Sequence, residues 1–187
     1  MPHLLGISGA LRAESTNTKL VHEAKRLFRP DAFTFADLRL PLYDADLEAE
    51  GIPPEVTRLA EQVRAADAVV ISTPEYNKAP PGVLKNALDW LSRTPRPWPT
   101  VGKPVAIMSA AAGKAGGERS QYLLILMLVA FRTKLIVTPE VSIPNSGKQF
   151  DEDGRLTNER ALQALETQMA ALRAAVDAEP EAGIVSG

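Results

Sequence analysis

The run Ala68-Val69-Val70-Ile71-Ser72-Thr73 constrains the fold more than any other stretch. It is short, continuous and β-branched, with no outward polar face, so it reads as a central parallel strand covered on both sides. Parallel neighbours need crossovers long enough to hold a helix. The remaining chain supplies them. Residues 3–7 form an apolar strand followed by a helix-forming stretch over residues 18–28, with Asn17 suited to its N-cap. Phe33-Thr34-Phe35-Ala36 alternates like a half-buried strand, and a proline-punctuated loop leads to a helix opened by Pro54 and running to residue 64. Val83, Leu84, Ala87, Leu88 and Leu91 share one face of a helix over residues 82–91. Residues 105–109 and 135–137 read as the fourth and fifth strands, with an apolar helix at 118–131 between them and a closing helix at 158–176. Five strands alternating with five helices predict an open α/β sheet, doubly wound through right-handed crossovers.

With 187 residues the chain fits one domain, assigned to residues 1–178, and the small-residue stretch 179–187 is expected to be a disordered tail. Net charge is −2, and Lys and Arg are interleaved with Asp and Glu, so the basic footprint of a nucleic-acid binder is missing. There is no cysteine, which excludes disulfide scaffolding, CxxC redox chemistry and thiolate metal sites. Redox work would therefore need a bound cofactor. The N-terminal apolar run is too short for a signal peptide or membrane span, which leads to the expectation of a cytoplasmic protein without membrane partners.

In a doubly wound sheet, ligands sit outside the carboxyl ends of the strands. That singles out the loops after Ser8, Thr73 and Ser109. The first, Ser8-Gly9-Ala10-Leu11-Arg12-Ala13-Glu14-Ser15-Thr16-Asn17, is small and hydroxylated and runs into a helix N-terminus. Amide N–H groups and the helix dipole there favour an anion, and Arg12 adds a positive charge. Lacking GxGxxG and the Lys-Ser/Thr ending of a P-loop, it suits a phosphomonoester better than a pyrophosphate. An ordinary loop with an Asn cap accounts for it equally well. The second loop, Pro74-Glu75-Tyr76-Asn77-Lys78-Ala79-Pro80-Pro81-Gly82, has a path fixed by its prolines and can present backbone groups to the edge of a flat heterocycle, with Tyr76 as ring contact or wall. A stiff turn before a capped helix is the plainer reading.

Pro74-Glu75-Tyr76-Asn77 followed by Pro81-Gly82-Val83-Leu84-Lys85-Asn86-Ala87-Leu88-Asp89-Trp90 resembles the PEYN…PGxLKNAIDW signature of the NADPH-dependent FMN reductase family. That family includes flavodoxin-like quinone, azo-dye and chromate reductases. Gly9-Ala10-Leu11-Arg12 with Ser15 and Asn17 is similar to its phosphate loop, and Gly113-Lys114-Ala115-Gly116-Gly117-Glu118-Arg119 to its third loop. The resemblance spans roughly residues 5–140. It implies a flavodoxin-like three-layer α/β/α fold with strand order 2-1-3-4-5. It further implies bound FMN, NAD(P)H as cosubstrate, ping-pong turnover onto a small acceptor (quinone, azo compound, free flavin or metal oxyanion), and a homodimer or dimer of dimers. Carried over by position, Ser8, Arg12, Ser15, Thr16 and Asn17 fall on the FMN phosphate, and Pro74, Glu75, Tyr76 and Asn77 along the isoalloxazine edge. Ala111, Gly113 and Gly116 fall by its pyrimidine side. Ala10, Ala79 and Ala111 stand where the family usually has serine, which implies weaker FMN binding carried more by backbone groups.

No side chain is expected to act as acid, base or nucleophile, because a flavin supplies the chemistry. His3 and His22 read as structural residues without partners, and Asp44, Asp46 and Glu48 as a solvated, mobile loop segment. Lys85 and Asp89 are spaced for an intrahelical ion pair. Lys78, Lys114 and Arg119 are candidate partners for a 2′-phosphate. Backbone donors near Gly117, at the start of the 118–131 helix, are placed to stabilise negative charge on the reduced ring. The same helix is apolar nearly all round and so needs cover on both sides, from deep burial or a second subunit. Two rival readings are a flavodoxin-type electron carrier, disfavoured because carriers are strongly acidic, and a flavin-free binding module.

Overall fold

The computed structural model describes residues 2–178, so the expected tail lies outside the described residues. Its five strands are β1 (His3–Ser8), β2 (Ala32–Phe35), β3 (Ala68–Thr73), β4 (Pro104–Ala110) and β5 (Lys134–Ile143). All pair in parallel in the order β2-β1-β3-β4-β5, as the family resemblance implies. The helices are α1 (Thr16–Phe28), α2 (Ala45–Glu50), α3 (Pro54–Ala65), α4 (Gly82–Leu91), α5 (Glu118–Val129) and α6 (Glu159–Asp177).

Alternation along the strands sorts the core into two layers. Leu5, Ile7, Val69, Ile71, Val105 and Ile107 face α3, α4 and α5. Leu4, Ala68, Val70, Ala106 and Met108 face α1 and α6. Each fully buried aliphatic side chain contributes about 1.5–3 kcal/mol, which is why strands with no polar face are stable only here. Gly6 lets α1 lie close on β1. A Cβ at that position would come within 2.5 Å of Val21 and 2.9 Å of Phe33.

Several local expectations are corrected. Ser15, not Asn17, caps α1, its hydroxyl accepting from the Asn17 N–H. The Asn17 amide is instead a buried brace between strands. Its Nδ2 donates to the Ala110 carbonyl at 2.8 Å, and its Oδ1 accepts from the Ser72 hydroxyl at 2.8 Å and the Ala110 N–H at 3.1 Å. The fifth strand runs to Ile143 rather than ending at residue 137, and its pairing with β4 is irregular between Ala106 and Met108. Gln168, fully buried on α6, donates to the Ile107 carbonyl at 3.0 Å beside that irregularity. Asp44, Asp46 and Glu48 do not sit in a mobile loop. Asp44 caps the extra helix α2, and Glu48 accepts from the Tyr43 hydroxyl at 2.8 Å. Trp90, fully buried, donates to the Pro41 carbonyl and anchors the same segment.

Both histidines have partners, and both are structural. His3 Nε2 lies 2.8 Å from the Thr34 hydroxyl. The His22 ring stacks on Phe35 with centroids 5.4 Å apart. Burial and nearby Lys25 hold the His22 pKa below its ordinary 6.5.

Asn17→Leu leaves the buried Ala110 groups and the Ser72 hydroxyl without partners, and is expected to destabilise the fold by about 3 kcal/mol in urea unfolding. His22 is favoured neutral in the fold, so the unfolded chain binds its proton more readily and stability falls as pH drops below about 6.5. The melting temperature of His22→Phe, which keeps the stack, is expected to fall less than the parent's between about pH 7.5 and about pH 5.5.

Candidate active site

Because every strand runs the same way, the loops after β1, β3 and β4 emerge on one edge of the sheet. Short contacts knit them together. The Gly9 N–H donates to the Ser72 carbonyl at 2.8 Å, and a Cβ on Gly9 would lie 3.0 Å from Pro74 and 3.2 Å from Pro81. The loop after β1 is thus pressed onto the loop after β3.

The residues expected at a phosphate divide into two groups. Ser8 and Asn17 are buried and committed to internal bonds, Ser8 accepting from the Ala10 N–H and from the Thr18 hydroxyl. They shape the loop from beneath. Ser15 caps α1, and Thr16 meets the Ser146 hydroxyl at 2.9 Å. Arg12 is exposed and makes one bond, from Nη2 to the Glu14 carbonyl, so the rest of its guanidinium is available. No hydrogen bond among the described residues uses the amide N–H groups of Arg12, Ala13 or Glu14. A cation and unpaired amides at a helix N-terminus form an anion cradle.

In the loop after β3, Tyr76 and Ala79 exchange backbone hydrogen bonds at 3.0 and 3.1 Å, closing a two-residue turn. Its central residues Asn77 and Lys78 both have positive φ, 51° and 68°, as a type I′ turn requires. The hydroxyl missing at Ala79 is not needed for this closure, which is made by backbone alone. Tyr76 is more than half exposed and available to a flat ligand. The amides of Glu75, Asn77 and Lys78 have no partner among the described residues. The Ser120 hydroxyl donates to the Pro74 carbonyl at 2.9 Å and touches the Thr73 hydroxyl, tying the loop's start to α5.

The loop after β4 is held from below and from the side. Ser109 donates to the Gly116 carbonyl at 2.7 Å and accepts from Gln121, which also bonds the Val141 carbonyl. Gly117, at φ 95°, has no room for a side chain, since a Cβ would meet Ser109 at 2.8 Å. Ala111 bonds through its backbone to Ile143 and Ser146, and the Gly113 carbonyl accepts from Gly116 and Asn145. The amides of Ala112 and Gly113 are unpaired among the described residues. Ser146 joins the first loop to the third and was absent from the sequence expectation. The cluster Pro144-Asn145-Ser146-Gly147 after an apolar strand is the signal that could have located it.

Of the three candidate cations for a 2′-phosphate, Arg119 is engaged. Its Nε and Nη2 both donate to Glu75 Oε1, at 3.0 and 2.5 Å, and this bond raises its pKa. Lys85 and Asp89 form the expected ion pair on α4. Helix α5 buries Ser120, Gln121, Leu124 and Leu128 but leaves Tyr122, Leu126 and Val129 more than half exposed, so the chain alone covers one side of it. No group of three or more metal-binding side chains occurs among the described residues.

Known proteins share this chain's sequence pattern and fold. A model of the NADPH-dependent FMN reductase family matches residues 2–148. An NAD(P)H-dependent FMN reductase of Pseudomonas aeruginosa is 45% identical over 172 residues, covering 91% of this chain and 92% of the relative. A quinone reductase of Escherichia coli is 53% identical over 102 residues, 54% of each chain. Among solved structures, FerB, a flavoenzyme NAD(P)H:(acceptor) oxidoreductase from Paracoccus denitrificans, superposes with a TM-score of 0.85 at 30% identity, covering 95% of this chain and 98% of that one. With its parallel sheet, its three knitted loops and a family match across most of its length, this chain belongs to the NADPH-dependent FMN reductase family.

Proposed function

We propose that the chain is an FMN-dependent NAD(P)H oxidoreductase that passes reducing equivalents to small acceptors, quinones foremost, by ping-pong turnover. The observation that carries this reading is the meeting, on one sheet edge, of a cationic amide cradle at Arg12 with a proline-stiffened loop at Pro74, Glu75, Tyr76 and Asn77. The cradle fits a phosphomonoester, and the unpaired amides of Glu75, Asn77, Ala112 and Gly113 fit the acceptor atoms of a flavin edge. Bound FMN supplies the hydride and electron chemistry.

The chain's own residues bind and orient. Arg12, with the amides of residues 12–14 and the hydroxyl-bearing start of α1 at Ser15 and Thr16, holds the phosphate. The loop at residues 74–77 fixes one ring edge through backbone groups. The loop carrying Ala111, Gly113 and Gly116 approaches the other edge without side-chain bulk. Backbone N–H groups at the start of α5 offset negative charge on the ring. The exposed side of α5, with Tyr122, Leu126 and Val129, supports pairing with a second copy as a homodimer or dimer of dimers. Lys78 and Lys114, which make no ion pair among the described residues, are the remaining candidates for a nicotinamide 2′-phosphate. A cytoplasmic setting follows from NAD(P)H as donor. Azo compounds, free flavin and metal oxyanions such as chromate belong to the same proposed acceptor class, because electrons leave through the exposed flavin ring rather than through a side chain fitted to one acceptor. The electron-carrier alternative is not favoured, since a net charge of −2 is far from the strong acidity of a docking carrier.

Anaerobic NADPH is expected to bleach the blue absorption band of the FMN-loaded protein, and benzoquinone to restore it; an unbleached band rules the reading out. Arg12→Ala is expected to weaken FMN binding roughly tenfold to a hundredfold, the worth of a charge-assisted bond, while leaving riboflavin affinity unchanged in fluorescence titrations.

A further inference from the structure

The Glu75–Arg119 pair is lopsided in a way that a surface ion pair is not. Glu75 belongs to the loop proposed to line the flavin, and its side chain is 10% exposed, whereas that of Arg119 is 54% exposed. Both guanidinium donors converge on one carboxylate oxygen, Oε1. The other, Oε2, is buried and has no hydrogen-bond partner among the described residues. A carboxylate oxygen held away from water and donors keeps a strong field, because little around it responds to screen its charge. The anion is thus inside, on the loop proposed to line the ring, and its balancing cation is half in solvent.

We propose that this pair sets the reduction potential of the bound flavin, with Glu75 lowering it and Arg119 partly offsetting that effect. The proposal rests on FMN being the ligand of the three loops. Hydride transfer delivers two electrons and one proton to the neutral oxidised ring, and the oxidised nicotinamide departs with one fewer negative charge. The ring therefore gains one negative charge. A buried carboxylate nearby opposes that gain, and a guanidinium favours it. In the single chain the guanidinium is half solvated, and its effect on the ring is the weaker of the two. The balance keeps the reduced ring a strong donor, which suits a site that must pass electrons on to varied acceptors.

The test is a spectroelectrochemical titration of FMN-loaded protein against a reference dye at low ionic strength. FMN affinity is measured on the same samples by fluorescence quenching. Glu75→Gln is expected to raise the midpoint potential. Arg119→Met is expected to lower it by a smaller amount, Arg119→Lys to leave it near the parent value, and the double variant Glu75→Gln with Arg119→Met to fall between the two singles. Opposite signs are the decisive readout, since mere loosening of the loop would move both variants the same way and would show in FMN affinity. Potentials that shift in one direction, or not at all, in variants that still bind FMN overturn the inference and leave the proposed function standing. A parent protein that takes up no FMN overturns both. If Glu75→Gln fails to hold FMN, the contrast between Arg119→Met and Arg119→Lys decides the question.

Discussion

The parallel direction of the strands is the constraint on which the rest depends. Once β1, β3 and β4 run the same way side by side, their C-terminal ends open onto one edge, and whatever the loops carry is brought together there. The core enforces this arrangement: strands with apolar residues on both faces have no stable place except between two layers of helices. The proposed function is thereby delegated to three loops, residues 9–15, 74–81 and 111–117, and the remaining chain serves to hold their ends at fixed separations.

Those separations are set by buried polar groups rather than by the apolar core. Asn17 links the start of α1 to β3 and β4, Ser109 and Gln121 join the third loop to α5 and β5, and Thr16 meets Ser146. Each such bond is worth only about 1 kcal/mol net, but an unmade one costs more, so the network admits few alternative loop positions. This is how a set of loops acquires the definition usually associated with helices and strands.

The same network marks the boundary of what the sequence disclosed. The strands, the parallel class and the three loops were legible because hydrophobic runs and small-residue turns are local signals, and the strand order came with the family resemblance. Asn17 was read as a helix cap because its local setting supports one, whereas its partner Ala110 lies 93 residues away. Ser146 was overlooked for the same reason, its partner Thr16 being 130 residues distant. The last strand was read too short because Thr138-Pro139 interrupts its apolar pattern, although pairing with β4 resumes beyond it at Val141. Asp44 was read as solvated because it clusters with Asp46 and Glu48 in a long stretch between two predicted elements, and only the fold shows it capping α2. The engagement of Arg119 with Glu75, 44 residues apart, carries no sequence signal at all.

The turn at residues 76–79 has one more consequence. Its ends are joined by paired backbone bonds, and prolines flank it at positions 74, 80 and 81, so its shape exists before any guest arrives. A host already frozen in the receiving shape surrenders little configurational freedom on contact, and the free energy released by each new contact appears almost undiminished as affinity. Such preorganisation leaves any ligand of this loop with little ordering of the chain to offset.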